Sequence, residues 1–164
     1  MTERDDILET LAAHRRFLLF TVQGVSDEQA RLQPTASHLS LGGIIKHVTM
    51  TEEQWVEFIR TGPDAVAMSE ERMAAHADGF VLRDDETLQD VIRRYEAIAG
   101  TTDDLVRTLP DLDESQPLPD APWFPKGARR SARRVFLHII AETSQHAGHA
   151  DILRETIDGQ RTMG

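Results

Sequence analysis

The chain has 164 residues, 40% of them hydrophobic, which is enough for one ordinary globular domain with its own core. Its 28 acidic and 18 basic side chains give a formal charge of -10, which disfavours binding to a phosphate backbone unless a basic face is set apart. The absence of cysteine excludes disulfides, thiolate metal clusters and a cysteine nucleophile. We therefore expect a single domain over residues 1–164 that does not bind nucleic acid.

The first residues and the longest apolar stretches bear on membranes and targeting. Residues 1–9 are acidic and polar, whereas a secretory signal begins with basic and then apolar residues. No stretch approaches the length of a transmembrane span. We expect a cytoplasmic protein that has no contact with a membrane.

The first predicted helix carries apolar residues at helical spacing and stops near Gly24, Ser26 and Asp27. These apolar residues are Ile7, Leu11, Leu18 and Val22. His14 is predicted on the same stripe as Leu11 and Leu18. It is either a core histidine that finds hydrogen-bond partners, the more common case, or a group beside a functional site.

The second predicted helix spans about residues 41–60, with Ser40 as its N-cap. Its inward face is predicted to be Ile44, Val48, Thr51, Trp55 and Phe58. His47 falls at the margin of that face. Gly42 and Gly43, in the first turn, would allow close helix packing or access of a ligand.

The connections around the third predicted helix have few periodic signals. Residues 61–85 read as a long connection with a possible short helix over residues 69–75, and His76 reads as an exposed loop histidine. The third helix covers about residues 86–109. The connection that follows, residues 111–128, is rich in proline and is predicted to have no helix of its own. Its aromatic pair, Trp123 and Phe124, either lines a pocket or packs on the core.

The last predicted helix, residues 131–158, carries four potential metal ligands within one 80° arc at about 100° per residue. Glu142 and His146 share their direction with apolar residues and should point inward, while His138 and His149 lie on the rim. Those apolar residues are Val135, Ile139 and Leu153. Ser131 is the expected N-cap of this helix, and Gly159 is expected at its C-terminal end.

The arginine cluster Arg129, Arg130, Arg133 and Arg134 lies at the start of the last helix. Charges at a helix end are usually solvated, and we favour this interpretation over an anion site.

Four main helices, two long connections and no strand signal predict an all-α four-helix bundle, an architecture that often holds metals between facing helices. A buried carboxylate and imidazole one turn apart cost free energy unless something satisfies them, and a divalent cation is a candidate. With His47 as the third ligand, Glu142 and His146 would form an open site of the catalytic zinc type. Two alternatives remain: an ordinary surface pair on the helix, or a hydrogen-bonded core network.

Two stretches, LSLGGIIKHVTMTEEQW and HIIAETSQHAGHADILRETIDG, resemble the DinB-like family of metal-binding four-helix bundles. Most of that family uses a histidine of the second helix with an H-x-x-x-H pair of the last. The pair here, Glu142-x-x-x-His146, is similar to that of the mycothiol-dependent maleylpyruvate isomerases. The resemblance implies His47, Glu142 and His146 as ligands of a divalent metal, with zinc as first choice and nickel as a further possibility.

The resemblance also implies an activity. Because the isomerases carry a second domain, the chain looks more like the family's thiol S-transferases, which add a low-molecular-weight thiol such as mycothiol or bacillithiol to a small electrophile. The alternative is a non-catalytic bundle that binds a metal or a small ligand. Within the site, His149 is expected to carry protons or to orient a ligand, and His138 to pair with Glu142. Family members are often dimers, so a homodimer is expected.

Overall fold

The computed structural model of the protein describes residues 2–162 and shows an all-α bundle, as the helical pattern predicted. In chain order its elements are α1 (Glu3–Phe20), α2 (Asp27–Arg31), α3 (Leu41–Thr61), a 3-10 turn (Pro63–Val66), α4 (Glu70–Asp78), α5 (Leu88–Thr108), β1 (Ser115–Pro117), β2 (Arg129–Ser131) and α6 (Ala132–Asp158). The four long helices α1, α3, α5 and α6 pack against one another, with α3 in contact with both α5 and α6.

Local capping explains where the long helices begin and end. The side chains of Ser40 and Ser131 accept hydrogen bonds from the backbone N–H groups three residues later, as expected for N-caps of α3 and α6. Gly159 ends α6 in the left-handed conformation, with φ at 83°, which glycine adopts without steric cost. Both predicted ends of α6 are therefore confirmed.

Two short elements were not detected in the sequence. Although the sequence has no strand signal, β1 and β2 form an antiparallel ribbon in which Ser115 pairs with Ser131. Strands of three residues are too short to show an alternating pattern, and their pairing depends on residues far apart in the chain. The short helix α2 was also not predicted, because its five residues begin with a capping box at Ser26 but cannot show an apolar period.

The buried apolar residues form two clusters along the bundle. The first contains Leu18, Val22, Ala30, Leu41, Ile44, Ile45, Val48, Leu82, Leu88, Val91, Tyr95, Ala147, Ala150 and Leu153. The second contains Ile7, Leu11, Trp55, Val56, Phe58, Ala65, Val106, Leu112, Ala132, Val135, Phe136 and Ile139. Where each long helix passes from one cluster to the other it carries a buried polar residue, namely Arg15, Glu52, Thr102 and Thr143.

The segment after α4 crosses closely over the first turn of α3. A Cβ atom at Gly43 would overlap the backbone carbonyl of Phe80, and one at Gly42 would meet the Leu82 side chain. The close packing that these glycines suggested is therefore present, and its partner is this segment. Lys46 also anchors this segment to α3, because its buried ammonium donates to the Val81 carbonyl at 3.0 Å and to Glu86 at 2.8 Å.

Candidate metal centre and adjoining pockets

His47 of α3 and the pair Glu142 and His146 of α6 come together in the structure. Each offers one ligand atom, and the three atoms lie within 4.8 Å of one another. The two α6 residues are four positions apart, so they project from the same face of that helix, while α3 packs against it. We call these three residues the triad.

The surroundings of His47 keep its ring neutral and fixed. The side chain is buried, and its ring stacks on Phe80 with centroids 3.9 Å apart and planes inclined by 17°. Burial, followed by the positive charges that His146 and His76 would carry, lowers the pKa of His47 to about 4. At neutral pH this imidazole therefore has an unprotonated nitrogen, which is the form that binds metals.

Glu142 lies between two histidines of its own helix. Its Oε2 is 3.6 Å from Nε2 of His146, and its Oε1 is 3.8 Å from Nε2 of His138. The His146 ring lowers the pKa of Glu142 although burial opposes this, so the carboxylate is charged at neutral pH. Nδ1 of His146 is buried and has no hydrogen-bond partner within residues 2–162. Two imidazoles, one of them with an unpartnered ring nitrogen, and a carboxylate fit a divalent metal such as zinc.

His138 and His149 lie on either side of the triad, both partly buried. The His138 ring meets Trp55 edge to face at 4.9 Å, and burial lowers the pKa of His138 against the opposing effect of Glu142. The His149 ring is 5.4 Å from that of His146, and its Nδ1 is buried with no partner in the described part of the chain. Both residues are thus near enough to the triad for the roles predicted for them.

Sequence reasoning missed two neighbours of the triad. Phe80, which covers His47, follows α4 in a segment without any periodic signal, and its position depends on the opening that Gly43 provides. His76 is exposed, as predicted, but it belongs to α4 and its ring lies 5.2 Å from that of His47. No local pattern near residue 76 indicates this contact, because it results from the packing of α4 beside α3.

The inner stripe of α1 contains Arg15, and the prediction that His14 lies on it was wrong. Arg15 is 7% exposed, whereas His14 is only partly buried and packs against Phe17 with centroids 6.1 Å apart. Arg15 turns inward because it donates to two carboxylates, Glu52 at 2.6 Å and Asp103 at 2.7 Å. A buried guanidinium is tolerated when paired in this way.

Two pockets reach the histidines beside the triad, His76 and His138, and share Trp123 as a wall, so the aromatic pair of the last connection does line pockets. The first, about 410 Å³, is mostly apolar and includes Val66, Met68, Met73 and His76. The second, about 750 Å³, is lined by aromatic and basic side chains and reaches His138; we call it the basic pocket. Its aromatic and charged residues are Trp55, Trp123, Phe124, Arg129, Arg130, Arg134 and His138.

Comparison with known proteins gives a family and a fold. A family model described as mycothiol S-transferase matches residues 6–159. A crystal structure of a conserved protein from Enterococcus faecalis is similar with a TM-score of 0.67, covering 98% of this chain and 99% of the other at 16% identity, and so shares its fold. The comparison with curated proteins gave no significant match. Within residues 2–162, no helix is both long and apolar enough to cross a membrane.

Proposed function

Because the chain belongs to the mycothiol S-transferase family, we propose that it transfers mycothiol, or another low-molecular-weight thiol, to a small electrophile. The family supports the type of reaction, and the triad is the observation that supports its location. The chain contains no cysteine, so the reacting sulfur must come from the thiol co-substrate.

In this proposal His47, Glu142 and His146 hold a divalent metal. Three protein ligands are typical of catalytic zinc, which keeps a position open, whereas structural zinc normally has four. The same donors suit nickel, so zinc is the first choice and nickel the alternative. A metal bound there would favour the thiolate form of a coordinated thiol near neutral pH.

The residues around the triad would orient the ligands and accept a proton. Phe80 stacks on His47 and limits the rotation of its ring, and His138 faces the Oε1 atom of Glu142. His149 is the proposed acceptor of the thiol proton, which then passes to solvent. The sulfur forms a bond to the electrophilic carbon, and the leaving group departs with the electron pair of the bond that breaks.

Metal content and thiol conjugation, measured together, test the proposal. We expect about one equivalent of metal in protein purified without added metal or a histidine tag, and loss of that metal in His47→Ala and in Glu142→Ala. His14→Ala is the matched control, because His14 contacts none of the triad rings, and it should keep both metal and activity.

Mass spectrometry detects the conjugate when mycothiol, bacillithiol and glutathione are each supplied separately with one electrophile. Formation of a conjugate by the parent and by His14→Ala, but not by His47→Ala, supports the transferase. A parent that binds no metal after reconstitution would overturn the proposal, and so would metal-loaded protein that conjugates none of the thiols. The latter result would indicate a binding bundle.

We also propose a homodimer, as the resemblance to the family suggests, and a cytoplasmic location, as expected from the acidic and polar first residues. Sedimentation velocity tests the assembly, because the chain has a mass of 18.4 kDa. A species of about twice that mass supports the dimer, and a single species at the monomer mass contradicts it.

A further inference from the structure

Three arginines line the basic pocket, Arg129, Arg130 and Arg134, and the guanidinium groups of the last two have no hydrogen-bonded partner within residues 2–162. Arg130 and Arg134 both line it, and neither forms an ion pair with a carboxylate in the part of the chain that the structure describes. This is unexpected in a protein with ten more acidic than basic side chains. The pocket therefore has a positive potential within an acidic molecule.

The neighbouring arginines of the same cluster differ in this respect. Arg133 binds both Glu3 and Asp113, and Arg129 donates to the hydroxyl and carbonyl oxygens of Ser115. The expectation that the whole cluster is a solvated helix end is thus too simple. Arg133 fastens the start of α6 to α1 through Glu3. Arg129 joins β2 to β1 and also lines the pocket, together with Arg130 and Arg134.

Aromatic rings hold the guanidinium group of Arg130 in place, and one of its nitrogen donors has no partner within residues 2–162. Its guanidinium lies over the Trp55 ring at 4.6 Å and the Phe124 ring at 5.3 Å. One terminal nitrogen, Nη1, is buried and has no hydrogen-bond partner within residues 2–162. Burial, and then the charge of Arg134, lowers the pKa of Arg130. An anion bound between the two guanidinium groups would accept hydrogen bonds from them and reduce the repulsion between the two arginines.

The pocket lies next to the reacting centre. His138 forms part of its wall and is also the residue 3.8 Å from the triad carboxylate of Glu142. A molecule that fills the pocket would therefore contact His138, the residue that separates the pocket from Glu142. The remaining walls include Trp55, Trp123 and Phe124, which suit a flat, unsaturated body better than a flexible polar one.

We infer that Arg130 and Arg134 bind a carboxylate of the electrophilic co-substrate, whose flat unsaturated or aromatic body lies in the basic pocket. This inference rests on the proposed transferase function for its assignment to the electrophile. The binding step itself needs neither the thiol nor the reaction.

Binding of two matched probes tests the inference. Isothermal titration calorimetry on the full chain as purified would compare 3-nitrobenzoate with 3-nitrobenzamide, which differ in charge but have nearly the same shape. We expect the parent to bind the carboxylate roughly tenfold or more tightly than the amide, the size of effect that a charged hydrogen bond supports. Arg130→Gln/Arg134→Gln should bind both probes within about twofold of each other.

Two further variants keep the result interpretable. Arg134→Gln alone changes an exposed residue, and it should weaken carboxylate binding even if the double variant folds poorly. Arg93→Gln makes the same charge change at an exposed residue of α5 outside both pockets and should keep the full preference. Equal binding of the two probes by the parent would overturn the inference. A preference that survives Arg134→Gln and the double variant would do the same.

The reaction provides a separate readout. With 4-chloro-3-nitrobenzoate, the thiolate sulfur bonds to the ring carbon that bears chlorine, the carbon–chlorine bond breaks, and chloride leaves with its electron pair while the thiol proton passes to buffer. We expect 4-chloro-3-nitrobenzoate to react with a kcat/KM roughly tenfold above that of 4-chloro-3-nitrobenzamide, and we expect Arg134→Gln to remove this preference. Probe binding without any conjugation would refute the transferase and leave the anion pocket standing, whereas conjugation without a charge preference would refute the pocket alone.

Discussion

Two polar clusters interrupt the apolar interior of the bundle, and they differ in how their charges are satisfied. In the first, Arg15 lies between Glu52 and Asp103, and Thr102 donates to Glu52 at 2.5 Å. In the second, the triad, no lysine or arginine pairs with Glu142 among the described residues; the side chains nearest its carboxylate oxygens are the imidazoles of His138 and His146. In the first cluster the chain itself balances the charge of Glu52, although Nε of Arg15 and Oε2 of Glu52 have no hydrogen-bond partner among the described residues. In the second, the described residues offer Glu142 no lysine or arginine.

This difference separates a structural cluster from a candidate site more clearly than burial does. Glu52 is more deeply buried than Glu142, with 1% of its side chain exposed against 28%. Its charge is nonetheless matched, because Arg15 reaches it from α1. Removing one partner of a buried ion pair strongly destabilises the fold. A group of ligand residues without such a partner adds to the stability of the fold when a ligand binds to it.

The largest change in the free energy of unfolding is expected when the ion pair of Arg15 and Glu52 is broken. Arg15→Met leaves Glu52 buried without its cation, and we expect a loss of about 3–5 kcal/mol in the free energy of unfolding. Urea denaturation of metal-free protein measures it. The double variant Arg15→Met/Glu52→Leu should recover much of this loss, because it removes both charges together. A single variant within 1 kcal/mol of the parent would show that the ion pair adds little.

The triad should behave in the opposite way. Glu142→Gln in metal-free protein should change the free energy of unfolding by less than about 1 kcal/mol, since the side chain is partly exposed. Zinc at about 100 times its Kd should stabilise the parent by about 2.7 kcal/mol and the variant much less. Thermal unfolding with and without zinc gives both values. Equal stabilisation of parent and variant by zinc would show that Glu142 is not a ligand of the metal.

The segment that carries Phe80 onto His47 should have an intermediate effect on the free energy of unfolding. Gly43→Ala forces the Phe80 segment away from α3, and we expect a loss of about 2 kcal/mol together with weaker zinc binding, because Phe80 packs on His47. Gly100→Ala is the matched control in α5, where an added Cβ atom meets nothing within 4 Å. It should stabilise the protein by about 0.5–1 kcal/mol. Similar effects of the two substitutions on stability would contradict the close contact.

The smallest effect concerns the ion pairs of Lys46 and depends on pH. Arg83 and Lys46 hold the pKa of Asp78 below its ordinary 3.8, and for Glu86 the bonds from Lys46 and the Arg83 backbone outweigh burial and lower the pKa below 4.5. Carboxylates of this kind stabilise the fold above their unfolded pKa values and lose that contribution as the pH falls through the folded values.

Lys46→Met should therefore cost about 1 kcal/mol at pH 7 and progressively less below about pH 4.5. Urea titrations between pH 3 and pH 7 with a metal chelator present measure the difference, and Arg93→Gln serves as a control for an exposed ion pair. A difference between parent and Lys46→Met that is the same at every pH would contradict the assignment.

The predictable parts of the fold are those with local causes. The limits of α6 follow from Ser131 and Gly159, which act within one turn, and the arc that joins Glu142 to His146 follows from helical geometry alone. The structure brings His47 to this arc, as the resemblance implied, while the binding of a metal there remains a prediction.

The parts that escaped prediction depend on distant partners. Arg15 and Glu52 are charged residues that a pattern assigns to the surface, and each becomes an interior residue only because the other is present. Phe80 reaches His47 through a segment whose position is determined by Gly43 and Lys46 rather than by its own residues. Pairings of this kind leave no periodic trace in a single chain.

Lys46 and His47 are consecutive residues of α3 with different tasks. Lys46 binds Glu86 and the Val81 carbonyl of the connecting segment, and His47 receives the ring that this segment carries. One turn of α3 therefore determines the position of both the proposed ligand His47 and the Phe80 ring that stacks on it. A change of length in the connection between α3 and α5 is therefore expected to leave the triad undisturbed only where it spares these anchors and the contact of His76 in α4 with His47.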